Sequence, residues 1–91
     1  MSTPDVKTQV GMVELVRVAE AWRFEHGKAD DGVVLVYDGA AYGWKDCLRD
    51  PQHERPGAMA IDAAGSAWFA DGGNDYDGAE RWLPIADVHG V

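Results

Sequence analysis

An α+β domain, in which one N-terminal amphipathic helix packs on an antiparallel β-meander of four to five strands, is the fold class this sequence predicts. Three observations predict it. Apolar residues recur at three- and four-residue steps over the first third of the chain, and short β-branched and aromatic runs separated by turn residues fill the remainder. A length of 91 residues suffices for one modest core and not for two ordinary domains. Residues 1–91 therefore read as a single domain, with 1–7 and 87–91 expected to fray.

The helix is expected over Thr8 to His26, where Met12, Leu15, Val16, Ala19 and Trp22 form one stripe that Val18 widens. Glu14, Arg17, Ala21 and Glu25 occupy the opposite face. Gly27 follows the last periodic residue and suits a left-handed cap, while His26 and Lys28 lie near the negative end of the helix dipole. Beyond Asp30-Asp31-Gly32 the period changes. Strands are expected at 33–38 and 40–47, joined by Asp38-Gly39, a dipeptide that favours the tight turn of a hairpin. The first strand is apolar at successive positions, so it is either central and covered on both faces, or buried on one face and lined by large residues on the other.

The polar stretch from Arg49 to Gly57 contains two prolines and reads as an ordered surface loop. Residues 59–62 and 67–70 flank Ala63-Ala64-Gly65-Ser66 and read as a second hairpin. Asp71 to Gly78 is glycine-rich and acidic, hence turns, and Arg81 to Ile85 can add a last strand that Pro84 confines to an edge.

Sixteen acidic residues against eight basic ones give a formal charge of -8. Such a surface repels phosphate backbones and lipid headgroups and attracts basic surfaces, so direct nucleic-acid binding is disfavoured. The plain alternative is that the charge only keeps a small protein soluble. The single cysteine, Cys47, cannot form an internal disulfide, the first ten residues carry no secretory pattern, and no apolar run approaches the length of a membrane span. A reducing cytoplasm is the expected compartment.

Asp50, His53, Glu54 and Arg55 are the nearest thing to a catalytic cluster, offering a base, carboxylates and a cation in one loop. The competing reading is that Arg49 and Arg55 pair with neighbouring carboxylates and hold the loop's shape. Nothing in the order of residues brings Cys47 together with His26, His53 or His89, and Cys47 reads as a small half-buried thiol at a strand end. Paired Cys or His residues with zinc spacing are absent. The oxygen-rich run Asp71, Asn74, Asp75, Asp77 and Glu80 does not follow the ligand pattern of an EF-hand loop, and Gly72-Gly73 lacks the lysine and helix of a phosphate cradle. No catalytic residue, metal or cofactor is therefore expected.

What remains is a surface: Asp71, Asp75, Asp77 and Glu80, with no basic residue between them and Tyr76 at their centre. An exposed aromatic ringed by carboxylates suits an arginine-bearing partner. In the other reading, Tyr76 turns inward and the acids merely solvate a loop.

The segment from Tyr42 to Gly57, continued by Asp71 to Trp82, resembles small antirestriction-type (ArdR-like) proteins of plasmids and integrative elements, through YGWK, LRDP, ERPGA and GGNDYDGAE. The resemblance spans about the last half of the chain. It implies a non-enzymatic counter-defence protein that inhibits a restriction or CRISPR effector, either by occupying its basic, DNA-facing surface or by blocking a regulatory or assembly surface. The expected contacts are Asp71, Asn74, Asp75, Tyr76, Asp77 and Glu80, with Asp50 and Glu54 from the neighbouring loop. Two other classes compete: a structural or regulatory module that self-associates or binds a co-encoded protein through an edge strand or Trp44, Trp68 and Trp82, and a small enzyme built on His53, which needs a concave pocket there.

Overall fold

The computed structural model describes the backbone of residues 4–28 and 30–85 and their side chains from residue 13 onward. Helix α1 (Pro4–His26) precedes strands β1 (Val33–Tyr37), β2 (Ala40–Lys45), β3 (Met59–Asp62), β4 (Ala67–Asp71) and β5 (Arg81–Pro84), with a one-turn 3-10 helix at Pro51–His53 between β2 and β3. The helix begins at Pro4, four residues before the expected start at Thr8. Proline is accommodated in a first turn, where its missing N–H would have no helical partner. Residues 1–3 and 87–91 lie outside the described residues.

All strand pairs are antiparallel, in the order β2-β1-β3-β4-β5. This departs from a plain meander at one connection: β3 pairs with the free edge of β1, so residues 46–58 cross over β1 instead of turning tightly from β2. The apolar run of β1 is the cause. Val33, Val34, Leu35 and Val36 are all buried, because α1 covers one face of the strand and the 46–58 crossover covers the other. Val34 and Val36 pack with Ile61, Ala67 and Ala19 beneath the helix. Val33 and Leu35 pack with Ala60, Leu48, Trp68 and Trp82 on the opposite side. Of the two arrangements open for β1, the central one is realised.

Asp38 and Gly39 both have positive φ, as a two-residue hairpin turn of this hand demands. Pro84 sits in the edge strand β5, where its missing donor breaks no ladder. On the helix, Leu15, Val16, Val18 and Trp22 pack inward around Ala19, but the outer face is not wholly polar, since Val13 and Phe24 are exposed, Phe24 at 89%. Cys47 is exposed and not half-buried. Strand β2 ends at Lys45, two residues earlier than expected, and the chain has already left the sheet at Cys47.

Two buried cations hold the connections. Arg23, 5% exposed, donates from Nη1 to the carbonyls of Lys28 (2.9 Å) and Asp31 (2.7 Å), and from Nη2 to those of Gly32 (2.7 Å) and Ile61 (3.1 Å). It thereby ties the helix end to the entry of β1 and to β3. Lys45 does the same for the crossover, through the carbonyls of Arg49 and Asp50 and the carboxylate of Glu54. Among the described residues no helix is long and apolar enough to cross a membrane.

Candidate functional site

The two polar loops converge. The Glu54 carbonyl accepts the N–H of Ala79 (2.8 Å), and Gly57 N–H donates to the Ala70 carbonyl (2.9 Å). Ala58, Ala70 and Ala79 are buried together, small enough to let three backbones approach. Gly78, at φ 87°, lies so close to the chain that a Cβ there would overlap the carbonyl of Gln52. The neighbourhood of 49–57 and 71–80 follows from these small residues.

The 49–57 loop is fixed from below. Lys45 Nζ pairs with Glu54 Oε2 at 2.9 Å and donates to the carbonyls of Arg49 (2.9 Å) and Asp50 (3.0 Å), so all three ammonium protons have acceptors. Lys45 and Glu54 are 8% and 6% exposed. The other Glu54 oxygen accepts from the Tyr42 hydroxyl. Tyr42 is the unpaired residue of a bulge between the Leu35/Gly43 and Val36/Ala41 pairs, and such an extra residue re-aims the side chain it carries. Glu54, expected on the binding surface, is therefore an internal anchor: both its oxygens are engaged and it cannot itself touch a partner.

Partial burial of the Tyr42 hydroxyl on a residue that is 49% exposed, then the hydrogen bond to Glu54 and the charge on that carboxylate, push the phenol above its ordinary value of 10.0, with Arg55 opposing. A folded-state value raised in this way stabilises the fold fully below pH 10 and progressively less above it, as the unfolded chain ionises first. In an alkaline titration followed by phenolate absorbance, the latest-ionising tyrosine should disappear from the Tyr42→Phe variant. If that variant keeps the late step, Tyr42 is not the shifted group.

Loop 71–80 folds around Asn74. Its Oδ1 accepts the N–H groups of Tyr76 (2.9 Å) and Asp77 (2.8 Å), its Nδ2 donates to Asp77 (3.2 Å), and its backbone exchanges hydrogen bonds with Gly78. Asn74 shapes the loop and holds Tyr76 outward, 95% exposed. The inward reading of Tyr76 is excluded.

The acidic stretch is less uncompensated in space than along the chain. Arg81 pairs with Asp71 (2.5 Å) and Glu80 (2.7 Å), and Arg55 approaches Asp75 at 3.6 Å. The count of cations between Asp71 and Glu80 missed Arg81, one residue outside, and Arg55, brought in from the other loop. Asp50, in left-handed conformation with φ 50°, pairs with Arg49 (2.5 Å), and this guanidinium holds the Asp46 and Asp50 carboxyls below their usual range.

An open cleft of about 510 Å³ lies where the two loops meet the β1–β2 hairpin. Of the expected contact residues it takes in Glu54, Asp75 and Tyr76; Asp50, Asp71, Asn74, Asp77 and Glu80 lie outside its lining. The residues not foreseen are Tyr37, Ala40 and Tyr42 from the hairpin and Gln52 and Gly78 from the loops, while His53 and Arg55 belong to the cluster weighed for catalysis. All three tyrosines of the chain line it.

The concave surface that a catalytic role for His53 requires is thus present. Its carboxylates, however, are engaged: Glu54 by Lys45 and Tyr42, Asp75 by Arg55, and outside the lining Asp50 by Arg49. Among the described residues no group of three or more His, Cys, Asp or Glu side chains converges as a metal ion would need.

Compared with known proteins, the chain matches no family model, no curated protein and no solved structure.

Proposed function

We propose that this chain is a non-enzymatic counter-defence protein that inhibits a restriction or CRISPR effector by binding a basic or DNA-facing surface through the joined loops 49–57 and 71–80. The observation that carries the binding part of the reading is Tyr76, held outward at 95% exposure between Asp75 and Asp77 and beside a second polar loop. A large exposed aromatic on a loop ordered by its own hydrogen bonds is the kind of group that anchors protein interfaces. With Glu54 neutralised by the buried Lys45, the two loops with Arg81 present five carboxylates against three arginines, so the patch favours a basic partner even with its internal pairs formed. The class of partner comes from the resemblance to antirestriction-type proteins.

The competing module that self-associates through its tryptophans finds less support, because Trp44, Trp68 and Trp82 are half-buried against the sheet. Plating of unmodified phage on a restricting host, and plasmid interference by a CRISPR system, test the proposal. Expression of the chain should raise survival toward that on a host without the defence. Full defence activity at saturating expression, across several systems, contradicts it.

A further inference from the structure

Arg55 is the one lysine or arginine among the residues lining the cleft. Its guanidinium carbon lies 4.6 Å from the centre of the Tyr37 ring, and Nη2 is 3.6 Å from Asp75 Oδ2. The cleft already holds one guanidinium between an aromatic face and a carboxylate. Its geometry is that of a cation–π contact, but its ion pair is long and both partners are substantially exposed, at 49% and 72%. Such a pair resists exchange weakly.

We infer that this cleft is an arginine seat, which Arg55 occupies in the free protein and an arginine side chain of the partner takes over in the complex. The inference rests on the reading that the partner is basic. The incoming guanidinium stacks against a tyrosine and pairs with Asp75, while Arg55 swings out to solvent. Planarity and weak hydration favour arginine over lysine for this task, since a guanidinium can lie flat on a ring and still present its N–H groups in plane to a carboxylate. Charge favours a cation over an anion: Asp77 and Asp38 are exposed nearby, Asp38 in the turn beside Tyr37, and neither is ion-paired among the described residues. The size of the cleft falls within the range of about 300–1,000 Å³ usual for ligand sites.

Calorimetric titration of the intact chain with hexa-arginine amide and with hexalysine amide at low salt tests the seat. Hexa-arginine should bind about fivefold more tightly than hexalysine. Tyr37→Leu, which removes the ring that Arg55 now covers, should erase that preference, and Arg55→Ala should tighten hexa-arginine binding, because the internal competitor is gone. Equal affinities for the two peptides, or weaker hexa-arginine binding by Arg55→Ala, would overturn the seat. If both peptides bind equally and Asp75→Lys abolishes both, the seat falls while the basic-partner reading stands. If neither peptide binds, both fall.

Discussion

Replacing Glu54 with alanine should lower the unfolding free energy by about 3–5 kcal/mol, the usual cost of leaving the partner of a buried ion pair alone. The variant strands the Lys45 ammonium, 8% exposed, without its carboxylate and removes the acceptor of the Tyr42 hydroxyl. The effect reaches the joined loops, because the same residue's carbonyl accepts the N–H of Ala79 in the 71–80 loop. Urea denaturation measures the loss. The double replacement Lys45→Met with Glu54→Leu should recover much of it, since two apolar groups have no charge to desolvate, although the carbonyls of Arg49 and Asp50 then lose their donor. A loss under about 1 kcal/mol for Glu54→Ala would mean that the pair behaves as a solvated one.

Arg23→Met should cost about 3 kcal/mol or more, for a different reason. Hydrogen bonds from a charged group contribute roughly 1.5–3 kcal/mol each and are not additive, and Arg23 makes four of them, all to backbone carbonyls. Methionine fills the volume and leaves the carbonyls of Lys28, Asp31, Gly32 and Ile61 without this donor. Arg23→Lys should lose less than Arg23→Met, because an ammonium can serve some of these acceptors but cannot fork across all four. Equal melts for the two variants would show that charge and donors are irrelevant at this position and that only packing counts.

Elements set by local chemistry were legible in the chain. Asp38-Gly39 announced its turn because few other dipeptides tolerate two positive φ values, and Pro84 announced an edge because it has no N–H to donate. Helix α1 was legible from its stripe, and the same stripe held an unused signal: Arg23 stands four residues after Ala19 and seven after Val16, on the packed face, where a charge must be satisfied by its neighbours.

The crossover was not legible, because strand order depends on which edge of β1 is cheaper to cover and nothing local reports that. The candidate site divides the same way. Tyr76 and its carboxylates are contiguous in sequence and were found together, and the convergence of the two loops on a shared cleft was not. It depends on Tyr37 and Tyr42, delivered by the hairpin and its bulge, and on Gly78 meeting Gln52 across more than twenty residues of chain. Charge counting along the chain failed for the same reason, since Arg55 reaches Asp75 only through the fold.

The central claim is that the joined loops bind a basic partner and thereby block host defence. The measurement that tests it most directly is restriction or CRISPR interference in cells expressing the Asp75→Lys, Asp77→Lys double variant beside the native chain, with thermal melts of both proteins. Both side chains are exposed, so the melts should nearly coincide. Inhibition should be present with the native chain and lost with the variant. Inhibition that survives the reversal, at equal protein levels and equal stability, would remove loop 71–80 from the site and contradict the account.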